Sequence, residues 1–372
     1  MPERRFAMNK LRIAIIGCGF SANGAGPNQI HMPAFSKMHD EVEMVSFCDI
    51  VEEKAVTAAR KYGTDQAKAY TDYKDILKDD SIDIVDVCTP NKSHAEITIA
   101  ALEAGKHVYC EKPMAKTYAD AQRMVETAKR TGKKLTIGYQ YRFRKDSWYL
   151  HDLCRRGDLG EIYFAKAHAL RRRCVPTWGV FLNEEEQGGG ALIDLGTHAL
   201  DMTLWMMDNY QPTSVMGITY NKFANQTRTA NFCGPWDPEK FTVEDSAFGF
   251  IRMVNDATIF LEASWALNIL DAIEEKVTLC GTKAGADMRE GLRINSADMD
   301  VLTVNKPAVL PSGLDVFEAP PAVPSGIPFA RAWIDCIRND TDPVVKPEQA
   351  LVVTQILEAI YKSSKTGKTV YI

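Results

Sequence analysis

Leu11-Arg12-Ile13-Ala14-Ile15-Ile16-Gly17-Cys18-Gly19-Phe20-Ser21-Ala22 sets a short apolar run directly against G-x-G-x-x-A. The run is long enough for one buried strand. The motif behind it is the context that a dinucleotide-binding turn requires. Gly17 permits the tight turn, Gly19 lets backbone approach a pyrophosphate, and Ala22 lets helix and strand pack closely. Phosphate would rest on the amides at the start of the following helix. The loop side of a cofactor site is therefore expected at Gly17, Gly19, Phe20, Ser21 and Ala22. Asn23 to Ile30 carries two more glycines and a proline, which do not continue a helix. Ala25 to Ile30 reads as an insertion near the cofactor, or as a broken first helix.

The same rhythm runs onward. Val42 to Phe47 is a second apolar run, closed by Cys48-Asp49. An acidic side chain at this point accepts hydrogen bonds from ribose hydroxyls and repels a 2′-phosphate, so NAD is expected rather than NADP. Asp49 could equally cap the helix predicted over Glu52 to Tyr62. Further strands are expected at Ile82 to Val87, His107 to Cys110 and Leu135 to Tyr139, with helices between them. Such alternation predicts a doubly wound parallel sheet, an α/β Rossmann domain. All its strand ends lie on one edge, so Thr89, Asn91, Glu111, Lys112 and Gln140 should crowd one crevice. Within Glu111-Lys112-Pro113, the lysine could steady a developing alkoxide or join a proton relay. The proline after it permits a cis peptide that would aim the side chain.

After Arg142 the pattern changes. A helix over about Asp146 to Arg156 leads to a strand at Ile162 to Arg171. Gly188-Gly189-Gly190 then opens a helix predicted from Ala191 to Asp208. That helix is apolar almost all round, hence buried. Asp194, His198 and Asp201 interrupt it at i, i+4 and i+7, one narrow sector of a regular helix. Buried ionisable groups are costly unless paired or useful. The stripe suggests a polar cleft wall, with a satisfied structural network as the alternative. No second cluster of ligands accompanies it, so no metal site is expected. Strands follow at Val215 to Phe223, Ser246 to Met253, Ala257 to Leu267 and Glu275 to Cys280. Without intervening helices they predict an α+β domain on a large open, mostly antiparallel sheet. Pro307 to Pro328 reads as an irregular crossing segment, and two helices, Phe329 to Arg338 and Gln349 to Ser363, end the chain. The expected organisation is 1–141 nucleotide-binding, 142–330 substrate and oligomerisation, and 331–372 C-terminal helices packing back toward the first domain.

Composition narrows the function classes. Of 372 residues, 45% are hydrophobic and 25% charged, the profile of an ordinary globular protein. Net charge is −5, and Arg171-Arg172-Arg173 is the one basic block, which argues against nucleic acid as a partner. Nine scattered cysteines without Cys-x-x-Cys argue against a disulfide framework or zinc and for a reducing, cytoplasmic compartment. Arg4-Arg5 is not followed by a separate apolar segment, so no export signal is expected. No apolar stretch approaches the roughly 20 residues that span a membrane.

Taken with Thr89-Pro90-Asn91-x-x-His94 and the ending Ala359-Ile360-Tyr361-x-Ser363-x-x-x-Gly367-Lys368, these motifs resemble the Gfo/Idh/MocA oxidoreductases (glucose–fructose oxidoreductase, inositol dehydrogenase and relatives) along nearly the whole chain. The resemblance implies NAD-dependent hydride transfer to or from a secondary alcohol of a sugar, glycoside or inositol. C3 is one possible carbon, which some relatives oxidise to activate a glycosidic bond. It implies Lys112 as the active-site lysine and Asp194 and His198 as an acid–base pair, with His198 as proton acceptor. It implies Asp201 as a further acidic residue orienting His198. Thr89, Asn91, His94 and Glu111 match cofactor-side positions. Substrate contacts are expected from Lys112, Tyr141, Arg142, Trp178, Asp194, Thr197, His198 and Asp201, although Tyr141, Arg142 and Trp178 could instead be structural. A homodimer or homotetramer is implied, joined through the open sheet. Two other functions stay open: a redox-neutral glycoside-cleaving enzyme that retains NAD, and a non-catalytic NAD-binding protein.

Overall fold

The computed structural model describes residues 9–23, 30–226, 230–308 and 326–372. Arg4-Arg5, the insertion except Ile30, and most of the proline-rich stretch lie outside the described residues. Two compact units emerge. One comprises Met1–Met114, Ala119–Gln140 and Val323–Pro347; the other comprises Ala115–Tyr118, Tyr141–Ala322 and Glu348–Ile372.

The first unit is built on six strands: β1 (Leu11–Ile16), β2 (Val42–Cys48), β3 (Lys68–Tyr70), β4 (Ile84–Val87), β5 (His107–Cys110) and β6 (Leu135–Ile137). They pair in the order β3-β2-β1-β4-β5-β6, every pair parallel. The doubly wound sheet expected from the sequence is therefore present, with β3 added at its edge. β1, β4 and β5 are buried on both faces over most of their length, as strands in a covered parallel sheet must be. The helix Gly326–Arg338 belongs to this unit. Its Phe329 stacks on Tyr109 of β5 at 4.7 Å, its Arg331 pairs with Glu41, and Arg338 donates to the Glu41 carbonyl at 2.9 Å.

The second unit holds nine strands: β7 (Ile162–Leu170), β8 (Pro212–Tyr220), β9 (Ser246–Met253), β10 (Thr258–Ser264), β11 (Ile273–Gly281), β12 (Ala284–Asp287), β13 (Arg293–Asp298), β14 (Val301–Asn305) and β15 (Val370–Tyr371). Their order is β14-β13-β12-β11-β7-β10-β9-β8-β15. β7 and β10 run parallel, and the other pairs are antiparallel. The mostly antiparallel sheet is thus as expected, larger by four strands. Helices lie on one face. The buried helix Thr197–Met207 crosses β7 and β11. The helix Pro347–Thr366 lies against β8 and β9, where a Cβ on Gly217 or Gly249 would meet Ile360 at 2.7 or 2.6 Å. Glycine on the strands is what allows that approach. The helix Gly326–Arg338 falls in the first unit and nearly all of Pro347–Thr366 in the second.

Candidate active site

In the first unit the glycine turn behaves as its sequence demands. Gly17 has φ of +90°, and a Cβ there would lie 2.7 Å from the Cys88 backbone. At Gly19 nothing lies within 4 Å of a Cβ position, so open space faces the turn. Phe20 is 53% exposed, Ser21 is exposed, and Ala22 is fully buried. Asp49 does not cap the next helix, whose N-cap is Val51. Its carboxylate instead accepts from the Cys18 amide at 2.9 Å and the Val51 amide at 2.9 Å. The carboxylate is thereby fixed beside the turn.

At the ends of β4 and β5 the polar groups divide in two. Thr89 Oγ1 and Gln140 Oε1 are buried without a hydrogen-bond partner among the described residues. Buried polar atoms of that kind are satisfied by water, an ion or a bound group. Together with the open glycine turn they fit a bound dinucleotide. Asn91 begins the helix Asn91–Glu103 at the same edge. Lys112 is half-buried, and its peptide bond to Pro113 is cis.

Two expected cofactor-side residues also brace the strand ends. His94 is buried, with Nδ1 2.7 Å from the Pro113 carbonyl and Nε2 2.9 Å from the Thr89 carbonyl. It ties the two strand ends together. The Glu111 carboxylate accepts from the Lys112 amide at 2.8 Å and from His31 Nε2 at 2.7 Å. His31 was not foreseen. Its Nδ1 lies 3.0 Å from both oxygens of Asp86, and its ring stacks on Tyr109 at 4.7 Å. Burial, the largest single influence, works against an imidazolium here, but the neighbouring acidic groups, Asp86 foremost, together raise the ring well above its ordinary range. His31, Asp86 and Cys88 do bring three ligand-type atoms within 4.8 Å of one another. With Asp86 on Nδ1 and Glu111 on Nε2, both ring nitrogens are engaged in a buried hydrogen-bonded network. His31 also has φ of +54°, a costly geometry for a side-chain-bearing residue. The one signal for it was the His-Met-Pro that closes the insertion.

In the second unit the glycine run sets the entry to the buried helix. A Cβ on Gly190 would lie 2.0 Å from the Glu244 carbonyl oxygen. With glycine there, the Glu244 carboxylate accepts from the amides of Gly190 at 2.8 Å and Leu192 at 2.9 Å, and from the Tyr361 hydroxyl at 2.9 Å. Burial pushes this carboxyl up to about 7. The chain then makes a π turn over Leu192–Gly196 before the α-helix from Thr197. Such turns cluster at functional sites.

That π turn takes Asp194 out of the regular register expected for the three groups, while His198 and Asp201 both lie in the α-helix that follows. Asp194 accepts from Trp265 Nε1 at 2.9 Å. The His198 ring meets Tyr141 edge-on at 4.7 Å. Asp201 faces elsewhere. It is held by Arg142, with Nε 2.9 Å and Nη2 2.6 Å from its two oxygens, and Arg142 also donates to Gln349 at 2.7 Å. Both members of the pair are buried, at 0% and 1% exposure. Asp201 therefore serves Arg142 in place of orienting His198. Arg142, Asp201 and Thr197, all expected at substrate, are at most 1% exposed. Trp178 stays partly exposed, edge-on to Phe181.

Three further residues complete this half-site. Arg171 pairs with Glu274 at 2.9 Å; burial opposes its charge, but Asp194, Glu274 and Glu275 hold it on. Tyr141 also feels the charges of Glu275 and Arg171. Glu275 sits where β11 slips register against β7, with φ of +43°. A bulge re-aims side chains, and the sequence carried no mark of it.

The family comparisons agree with both halves. The model of the oxidoreductase family with an NAD-binding Rossmann fold, GFO_IDH_MocA, matches residues 11–139, and that of its C-terminal alpha/beta domain matches 152–372. The chain is 36% identical over 360 residues to the D-glucoside 3-dehydrogenase of Escherichia coli K12, covering 97% of each. It is 28% identical over 274 residues to the levoglucosan dehydrogenase of Pseudarthrobacter phenanthrenivorans, covering 69% of this chain and 68% of that one. A solved levoglucosan dehydrogenase complexed with NADH superposes with a TM-score of 0.80 at 22% identity, over 98% of this chain and 99% of the other. The chain belongs to the Gfo/Idh/MocA oxidoreductase family and is an NAD-dependent dehydrogenase.

Proposed function

We propose that the protein oxidises a secondary hydroxyl of a glucoside-type sugar, at C3, with reduction of NAD. The observation that carries this reading is the whole-length likeness to a D-glucoside 3-dehydrogenase. The relatives reported above are dehydrogenases, so the redox-neutral glycoside-cleaving alternative is not favoured.

When bound, NAD supplies the hydride acceptor. His198 takes the hydroxyl proton, a role suited to imidazole near neutral pH. The Lys112 ammonium steadies the oxygen as it gains alkoxide character. Asp194, fixed by Trp265 and beside the Arg171 charge, sets the polarity of the sugar side. Trp178 offers an apolar face to the ring and Tyr141 backs the imidazole. Thr89, Gln140 and Asp49 hold the nucleotide, and the Asp49 charge disfavours the 2′-phosphate of NADP.

A screen of glucosides, free sugars and inositols with NAD and NADP, followed by absorbance of reduced cofactor, tests the reading. Glucosides with NAD are expected to turn over fastest. Lys112→Ala and His198→Ala should each lower kcat by about 10²-fold or more. Turnover near wild type in either variant would remove that residue from the mechanism. We further propose a homodimer or homotetramer joined through the open sheet face, where Met216, Ile218, Tyr220 and Phe250 are exposed. Phe250→Glu should shift the sedimentation coefficient toward the monomer. A cytoplasmic location accords with nine free cysteines, and no helix among the described residues is long and apolar enough to cross a membrane.

A further inference from the structure

Cys174 and Cys233 stand 59 residues apart in sequence, yet their sulfurs are 3.1 Å apart. The approach is built by the backbone around them. Val175 N donates to Asn231 Oδ1 at 2.8 Å, and Asn231 Nδ2 returns to the Val175 carbonyl at 2.9 Å. Phe232 N donates to the Arg173 carbonyl at 3.2 Å, and Thr177 Oγ1 donates to the Cys233 carbonyl at 2.5 Å. Cys174 is anchored on its other side by its amide, bonded to the Trp265 carbonyl at 2.9 Å. Two chain segments are thus bolted together on both flanks of a thiol pair. Neither thiol is fully buried. Most of the other cysteines sit singly in the interior of strands or helices, where a thiol acts as a small hydrophobe.

We propose that Cys174 and Cys233 are a reversible dithiol–disulfide site. A disulfide bond is about 2.05 Å long, so closing it asks for an approach of about 1 Å between atoms already in contact. The oxidant is a low-molecular-weight disulfide, such as oxidised glutathione. One cysteine thiolate attacks a sulfur of that disulfide, breaking its S–S bond and releasing the first small thiol. The second cysteine then attacks the mixed disulfide and expels the other small thiol. Two protein thiols become one disulfide, two electrons pass to the oxidant, and the two protons leave with the two small thiols. The cross-link fastens the segment that carries Arg171 and Trp178 to the loop at Asn231–Gly234. Burial and the neighbouring thiol raise Cys233 to about 11. The exchange is accordingly slow, and equilibrium is the proper readout.

The full-length protein is equilibrated at pH 8 in reduced and oxidised glutathione mixtures of increasing oxidised fraction, quenched with an alkylating agent, and mapped by peptide mass spectrometry. The expected result is one intramolecular Cys174–Cys233 peptide pair, with two fewer alkylated thiols, reversed by dithiothreitol. Oxidised wild type should melt at a higher temperature than the reduced form, and Cys174→Ser and Cys233→Ser should each abolish that difference. Persistence of both thiols at the most oxidising ratio would overturn the proposal, as would pairing of either cysteine with another partner. The mass readout does not depend on which substrate is oxidised, so it stands or falls apart from the proposed activity.

Discussion

Replacing Asp201 by Asn separates a structural carboxylate from a catalytic one. Arg142 spends two nitrogens on Asp201 and a third on Gln349, with no exposure to solvent. Asn keeps one acceptor oxygen but presents an amide donor where the second oxygen stood. Removing one partner of a buried ion pair costs about 3–5 kcal/mol, because the surviving charge is left uncompensated. The retained oxygen and Gln349 place Asp201→Asn at about 3 kcal/mol. For a unit of this size each kcal/mol lowers Tm by about 2–4 °C, so a fall of about 6–12 °C is expected. Tryptophan fluorescence is a suitable probe, since the guanidinium lies 5.5 Å from the Trp205 ring. At a temperature where the variant is folded, kcat should fall less than tenfold and the acid limb of kcat/KM should stay in place. A Tm within 2 °C of wild type together with a hundredfold loss of kcat would refute the reasoning and return Asp201 to the chemistry.

Three other expectations concern distinct parts of the molecule. Glu244 is raised by burial from an ordinary 4.5 to about 7. The native state then binds this proton more tightly than the unfolded chain. Its contribution is fully present below pH 4.5 and is lost as pH rises through about 7, a swing of about 3 kcal/mol. Glu244→Gln should remove that swing, so the wild-type-minus-variant difference in unfolding free energy should fall between pH 5 and pH 8 in urea titrations; a flat difference would contradict it. Gly17→Ala places a methyl 2.7 Å from the Cys88 backbone at a φ of +90°, and should weaken NAD at least tenfold by calorimetry, with an unchanged Kd counting against the turn. Asp49→Ala should weaken NAD and narrow its advantage over NADP; an unchanged ratio would count against a ribose contact.

What the sequence revealed and concealed follows from periodicity and contact. β1, β2, β4 and β5 were legible because a covered parallel strand is a continuous apolar run. β3 was not: Lys68-Ala69-Tyr70 is a short edge strand with two exposed residues. β13 and β14 were missed for a related reason, since most of their residues are exposed and show no apolar alternation. Gly17, Asp49 and Lys112 could be placed because each sits at a strand end, where topology alone fixes the edge. The partners of Asp201 and Glu111 could not. Arg142 lies 59 residues from Asp201, and His31 lies 80 from Glu111, so only the folded backbone pairs them. The π turn was hidden because a sequence of buried apolar residues reads as a regular helix whichever hydrogen-bond register it takes. The bulge at Glu275 left no trace, because the residue it re-aims is an ordinary acidic one.

In the proposed reaction a hydride passes directly from a sugar carbon to NAD. It is tested most directly by incubating the protein with NAD and methyl β-glucoside deuterated at C3, then weighing the reduced cofactor. One deuterium per NADH formed is the expected result. Unlabelled NADH would contradict the carbon assigned, and no reduced cofactor from any glucoside, sugar or inositol would contradict the reaction itself.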